Sequence, residues 1–300
     1  MKVLLIDDDR LQHRLMQGFF LNFRNRAFEY EGAETYETGL AKLLRGHYEA
    51  CLLDYQLGPR DGLSLIREAV AAGCHTPIIF LTAESGGDVD VQAMEAGALD
   101  YLVKGEISPQ SLERSLRYAL KLAETMEALR QLATRDELTG LLNRREFERV
   151  LEDEEERARR FDRALGLVFL DIDFFKRVND THGHAVGDEV LRAVGQRLAE
   201  NMRSVDRVAR FGGEEFVALF PETDRDNVKA MAERLINAIN AVPVSLADGR
   251  TLPVTISAGA ASLRGMKVNA RTLLADADRA LYEAKHQGRN RAVLAAVDSQ

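Results

Sequence analysis

Four short apolar runs constrain the first part of this chain more than any other feature: Val3 to Ile6, Ala50 to Leu53, Pro77 to Leu81 and Leu99 to Val103. Each lacks the polar alternation of a half-exposed strand, so each is expected to be a strand covered on both faces. Helical periodicity fills the intervals. Strands alternating with helices build a doubly wound α/β sheet, whose ligands sit in the crevice beyond the carboxyl ends of the strands. Polar residues collect at that edge. Asp7 and Asp8 close the run from Val3, Asp54 the run from Ala50, Thr82 the run from Pro77 and Lys104 the run from Leu99. Taken singly, an aspartate or Thr82 there caps a helix, as Asp9 can, and the lysine is solvated. Taken together they read as a site. Three carboxylates at one edge repel one another unless a cation such as Mg²⁺ is bound, and one of them can then accept a phosphoryl group.

At this point residues 1–120 resemble the response-regulator receiver domain, through Ile-Asp-Asp, Leu-Leu-Asp-Tyr-Gln-Leu, Asp61-Gly62, Phe-Leu-Thr-Ala and Asp-Tyr-Leu-Val-Lys. The resemblance implies a flavodoxin-like domain phosphorylated by a cognate histidine kinase, with Asp54 as acceptor. It implies Asp7 and Asp8 at Mg²⁺ with the Gln56 carbonyl, Thr82 and Lys104 on the phosphoryl oxygens, and Tyr101 as the aromatic switch. Two departures stand out. Gly105 follows Lys104 where the family usually has proline, which predicts a looser turn. Leu57-Gly58-Pro59-Arg60 replaces the commoner Met-Pro form, and the phosphorylation chemistry is not expected to depend on it.

A chain of 300 residues is long for one core and sufficient for two. Its net charge of -8 argues against general affinity for DNA or anionic membranes, so any nucleotide must be held locally. Cys51 and Cys74 lie in apolar stretches without metal-ligand spacing and read as two buried reduced thiols, which suits a cytoplasmic protein. The run Val3 to Ile6 ends at three aspartates, which fits neither a signal peptide nor a membrane span.

Residues 109–135 are expected to form one long linker helix, with Ser108 as cap and Pro109 in its first turn. Leu112, Leu116, Ala119, Ala123 and Met126 make one seam; Leu122, Met126, Leu129 and Ala133 make a second, offset one. The first half is expected to pack on the receiver and the far half to pair with a second copy. Phosphorylation is expected to select between the seams.

Residues 136–300 form the second domain. Asp136 to Arg145 predicts a helix break at Gly140 and a restart capped by Asn143. Leu165 to Leu170 reads as a strand ending in Asp171-Ile172-Asp173, whose two aspartates can share a face with Ile172 turned inward. Phe174-Phe175-Lys176 opens a short helix whose free N–H groups suit a phosphate. His182 and His184 lack a further nitrogen or thiolate ligand and read as loop and capping residues. Asn179 and Asp188 carry groups that can read guanine, although Asp188 also reads as a helix N-cap. Arg210-Phe211-Gly212-Gly213-Glu214-Glu215-Phe216, between apolar runs, reads as a tight hairpin turn whose glycines let backbone approach a bulky ligand and whose Glu214 and Glu215 can bind a divalent cation or act on a proton.

This half resembles the GGDEF family of diguanylate cyclases. The matching stretches are Asp136 to Leu141, Asp171 to Lys176, Asn179-Asp180, Gly183-His184, Gly187-Asp188, Gly212 to Phe216, Ser257-Ala258-Gly259 and Ala275-Asp276 through to Asn290, with Glu214 at the third letter. The resemblance implies a fold similar to nucleotidyl-cyclase and polymerase palm domains that makes cyclic di-GMP from two GTP. It implies Asp171, the Ile172 carbonyl and Glu214 at Mg²⁺, with Glu215 completing the metal site or helping to deprotonate the attacking hydroxyl. Asn179 and Asp188, with His184 nearby, would read guanine; the Phe174, Phe175 and Lys176 backbone with Lys285 and Arg289 would hold the triphosphate. Arg203 and Asp206, joined by Arg234, resemble the family's inhibitory product site. Since one domain holds one GTP, the reaction implies a homodimer. The competing reading is a catalytically silent response regulator that senses GTP or cyclic di-GMP.

Overall fold

The computed structural model describes residues 1–23, 28–83 and 88–296; the last four residues of the 136–300 span lie outside them. The chain divides into two compact units, Met1–Leu129 and Arg130–Gln300.

The first unit runs β1 (Lys2–Ile6), α1 (Arg10–Leu21), β2 (Glu29–Ala33), α2 (Tyr36–Arg45), β3 (Ala50–Asp54), β4 (Gln56–Leu57), β5 (Arg60–Asp61), α3 (Gly62–Ala71), β6 (Ile78–Thr82), α4 (Asp88–Ala96) and β7 (Asp100–Val103). The main sheet is parallel, in the order β2-β1-β3-β6-β7. Its central strands are buried on both faces, as their unbroken apolar runs require. The two edge strands differ: β2, Glu-Tyr-Glu-Gly-Ala, carries no such run, whereas β7 carries one yet is only partly buried, which corrects the expectation that Leu99 to Val103 is covered on both faces. One core contains Leu4, Ile6, Leu53 and Phe80; the other contains Val3, Leu5, Leu52 and Leu81 and continues into the next helix.

That helix, α5 (Pro109–Thr134), runs 26 residues. The Ser108 hydroxyl accepts from Ser111 N at 3.1 Å, the expected cap. Leu112, Leu116 and Ala119 join the receiver core, whereas Leu122, Met126, Leu129 and Leu132 are exposed. The helix ends at Thr134, six residues before the predicted break. Gly140 instead occupies a left-handed position (φ 71°) in the following turn. Cys51 is buried but Cys74 is only partly so, which corrects the expectation for the second thiol.

The second unit continues with α6 (Arg144–Arg160), β8 (Ala164–Ile172), α7 (Phe175–His182), α8 (His184–Glu200), β9 (Arg207–Gly212), β10 (Glu215–Pro221), α9 (Arg225–Asn240), β11 (Val244–Ser245), β12 (Thr251–Leu252), β13 (Ile256–Arg264), α10 (Ala270–His286) and β14 (Ala292–Leu294). Asn143 caps α6 by accepting from Glu146 N, as predicted. The sheet order is β14-β13-β8-β10-β9, antiparallel except where β13 meets β14. Two cores cover its faces, one including α8 and α9 residues, the other α6 and α10 residues. At Gly259 of β13 a Cβ would lie 2.1 Å from both Ala277 O and Leu281 N, so only glycine lets α10 come this close.

Candidate active site

In the receiver unit, the carboxyl ends of β1 and β3 bring Asp7, Asp8 and Asp54 together, with ligand oxygens all within 4.8 Å of one another. Lys104, just after β7, reaches across the edge: its Nζ lies 2.9 Å from both Asp7 Oδ2 and Asp54 Oδ1. Thr82 ends β6 and is buried; Gln56 is exposed on β4, and Tyr101 is exposed on β7. Burial pushes Asp54 up to about 6, against the pull of the Lys104 ammonium. Burial acts to lower Lys104, but its hydrogen bonds to Asp54 and Asp7 outweigh that and hold it raised. Three carboxylates facing one ammonium leave a negative, all-oxygen pocket, and that donor set fits a hard divalent cation such as Mg²⁺.

The segment after Asp54 is tied into this pocket. Gly58 N donates to Asp8 Oδ2 at 3.1 Å. Arg60 donates to Tyr36 Oη at 2.8 Å and to Glu68 Oε2 at 3.1 Å, with its guanidinium 3.5 Å from the Tyr36 ring centroid. The departure from the family's Met-Pro form is therefore a hairpin pinned to α2 and α3.

In the second unit, Glu215 pairs in register with Asp171 across β10 and β8, and Glu214 O accepts from Ile172 N at 3.3 Å. The hairpin turn sets this register. Gly213 takes a left-handed conformation (φ 49°), and the register shifts between Glu215 and Phe216. Burial raises Asp171, Glu214 and Glu215 above the usual carboxylate range; for both glutamates the next cause is the Asp171 charge. Lys285 on α10 places Nζ 2.7 Å from Asp171 Oδ2, so the ammonium expected at a triphosphate is paired here with a carboxylate. Among the described residues only Asp7, Asp8 and Asp54 gather their ligand oxygens within 4.8 Å; Asp171, Glu214 and Glu215 supply carboxylates of the type that suits Mg²⁺ without being drawn together to that extent.

Phe174 has left-handed φ/ψ (58°, 28°) at the N-terminus of α7 and is exposed, and the Arg289 guanidinium lies 4.6 Å from its ring centroid. Phe175 turns its ring into the core while Lys176 is exposed. Asn179 on α7 faces Gly187 on α8: a Cβ at Gly187 would lie 1.9 Å from Asn179 Oδ1. That oxygen is buried and has no protein partner, as an acceptor awaiting a ligand donor would be. His184 is the exposed first residue of α8, and Asp188 sits inside that helix with Gly183 at the cap, so the N-cap reading of Asp188 is corrected.

Two further carboxylates are buried and held by donors. Asp173 directly follows β8. It is 5% exposed and its oxygens accept from Thr255 Oγ1, Ser257 Oγ and Asn290 N. Asp206 is 6% exposed and accepts from Arg203 N at 2.9 Å, closing a turn. Arg234 joins that neighbourhood by donating to Asn201 O at 2.7 Å.

Sequence reasoning missed Arg210. Its Nη1 reaches both Asp136 oxygens at 3.3 and 3.2 Å, while Nε and Nη2 donate to Gly213 O at 3.0 and 2.7 Å. Asp136 also accepts from Thr139 N and Oγ1. The turn just after α5 is thus wired to the hairpin carrying Glu214 and Glu215. The signal was a lone arginine before two glycines, and its partner lies 74 residues away.

A doubly wound sheet with three aspartates at its edge, followed by a second sheet with a two-glutamate hairpin, defines the class of a receiver domain joined to an output domain. More narrowly, the chain belongs to the GGDEF family: the family model "Diguanylate cyclase, GGDEF domain" matches residues 133–291, and the response regulator receiver domain model matches 3–117. The response regulator PleD of Caulobacter vibrioides is 39% identical over 211 residues, covering 68% of this chain and 46% of that protein. The diguanylate cyclase DgcP of Pseudomonas aeruginosa is 43% identical over 166 residues, covering 55% of this chain and 24% of that one. The chain thus spans less than half the length of these curated relatives. Among solved structures, the coiled coil and GGDEF domain of DgcB from Caulobacter crescentus, in complex with c-di-GMP, matches with a TM-score of 0.57 at 31% identity, covering 62% of this chain and 98% of that one. Among the described residues, no helix is long and apolar enough to cross a membrane.

Proposed function

We propose that the chain is a response regulator whose receiver, phosphorylated at Asp54 by a histidine kinase, activates condensation of two GTP into cyclic di-GMP and two pyrophosphates. The observation that carries the reading is the in-register apposition of Glu215 and Asp171, with Lys285 against Asp171.

Asp7, Asp8 and the Gln56 carbonyl would hold Mg²⁺ at the receiver; Asp171, the Ile172 carbonyl and Glu214 would hold it at the cyclase. There it supplies charge offset at the phosphates. Thr82 and Lys104 contact the phosphoryl oxygens, and Tyr101 reports the change. Asn179 and Asp188, with His184 nearby, read the guanine edge. The backbone N–H groups at Phe174, Phe175 and Lys176, with Lys285 and Arg289, hold the triphosphate. Glu215 completes the acidic site or takes the proton of the attacking 3'-hydroxyl, its raised pKa suiting it to that task. Most of the rate then comes from in-line placement of two nucleotides, which needs two copies facing each other. Exposed Leu122, Met126 and Leu129 on α5 support pairing between copies, and Arg203, Asp206 and Arg234 form a product-inhibition site.

The test is to incubate the protein with GTP and Mg²⁺, with and without a phosphoryl mimic such as beryllofluoride, and to assay cyclic dinucleotide and pyrophosphate. The mimic is expected to raise turnover, and Glu215→Gln to abolish it in a folded protein. Undiminished product from Glu215→Gln would refute its role; binding of GTP without turnover by the activated wild type would favour a silent sensor.

A further inference from the structure

Asp173 is a buried carboxylate to which neither the metal site nor the guanine site gives a task. Its three partners are all neutral: Thr255 Oγ1 and Ser257 Oγ, each at 2.7 Å, and Asn290 N at 3.1 Å. A carboxylate is acceptor-only and carries two oxygens, so it can take all three of these donors at once. The N–H it accepts belongs to the peptide joining Arg289 to Asn290, and the same N–H also reaches Ser257 Oγ at 3.2 Å. Both residues of that peptide are left-handed, Arg289 at φ 61° and Asn290 at φ 50°. Two consecutive non-glycine residues in that region are strained, and such a pair persists only where its surroundings hold it.

The consequence is where Arg289 points. Its backbone N donates to Ala284 O at 3.0 Å, ending α10, and its guanidinium then lies over the Phe174 ring. Phe174 is the residue after Asp173, at the start of α7. One residue therefore controls both sides of the phosphate site: its backbone leads into the α7 N-terminus and its side chain fixes the peptide that aims Arg289 across it.

We propose that Asp173 is a positioning residue for the nucleotide triphosphate, acting through the Arg289–Asn290 peptide and not through the metal. The proposal rests on the reading of Arg289 as a triphosphate contact given above. It predicts a loss selective for the polyphosphate portion of the ligand, which a merely structural role would not produce.

The test uses the full chain and calorimetric titration with a non-hydrolysable GTP analogue and, separately, with GMP. Asp173→Asn is expected to weaken the analogue about tenfold, the scale of a single charge-assisted hydrogen bond, while GMP stays within about twofold. In an Arg289→Ala background the same substitution is expected to add less than about twofold, because its route is already gone. Equal weakening of both ligands, or a full additional loss on top of Arg289→Ala, overturns the proposal. Should Asp173→Asn not fold, Thr255→Val removes one of the hydroxyls that hold the carboxylate; an analogue-selective loss of about threefold supports the proposal and no selectivity overturns it. A wild-type chain that binds neither nucleotide instead refutes the GTP site itself, an outcome distinct from unselective variants of a chain that binds both.

Discussion

At the residue scale, Asp54 and Arg210 show what burial and fixed partners do to ordinary charged side chains. Asp54 carries its carboxyl at about 6 because burial outweighs the pull of Lys104. The native state therefore holds a proton that the unfolded chain releases, between roughly pH 4 and 6. Fewer protons on the unfolded state mean that stability falls as pH rises through this window. Asp54→Asn removes that loss and is expected to stabilise the receiver transition by on the order of 2 kcal/mol at pH 7 in EDTA, with the gain vanishing near pH 4. Denaturant melts across that range would show it, and a pH-independent gain would contradict the burial account. Arg210 works differently. Truncation leaves the Gly213 carbonyl without its two guanidinium donors and Asp136 without its cation, so Arg210→Ala is expected to cost about 2 kcal/mol and to lower GTP turnover at least about tenfold. Thermal melts and turnover of the same sample check both, and unchanged turnover would leave the connection purely structural.

At the element scale, the cyclase site depends on helices that approach closely enough to leave no room for a methyl group. Gly187 lets α8 pass over Asn179, so the unpartnered Asn179 oxygen is held by the α7–α8 packing. Gly187→Ala must displace that amide, and is expected to weaken binding of a GTP analogue about tenfold while helix content is preserved. Circular dichroism with a binding isotherm tests it; normal affinity would remove Asn179 from guanine reading. The β9–β10 hairpin obeys the same logic. Its left-handed Gly213 and the register shift after Glu215 place two carboxylates opposite Asp171.

At the scale of the whole molecule, the exposed Leu122, Met126 and Leu129 of α5 follow one another at four- and three-residue spacing as an apolar stripe. A stripe of this kind on a long helix is suited to burial against a copy of itself. Leu122→Glu with Met126→Glu is expected to shift sedimentation toward monomer and to make turnover per chain fall steeply on dilution. Turnover independent of concentration in both proteins would remove pairing from the mechanism.

Much of this molecule was legible in the order of its residues. Apolar runs that each end at a polar residue are satisfied by strands whose ends share a sheet edge, so Asp7, Asp54, Thr82 and Lys104 were readable together, although the last strand is only partly covered. Two glycines between apolar runs likewise set the hairpin and its glutamates. The edge strand β2 was not readable, because Glu29 to Ala33 needs no apolar run where one side meets solvent. The N-cap reading of Asp188 failed, and the enclosure of Asp173 was not readable, for one reason: a carboxylate looks the same in sequence whether it caps a helix, binds a ligand or is enclosed by donors. Local chemistry, periodicity and turn geometry act over a few residues, and the sequence alone determined what they govern. Tertiary structure alone decided which distant groups meet, as Arg210 with Asp136, Lys285 with Asp171, and Asp173 with the Asn290 peptide, because those pairings exist only once the sheet order has brought separate segments side by side.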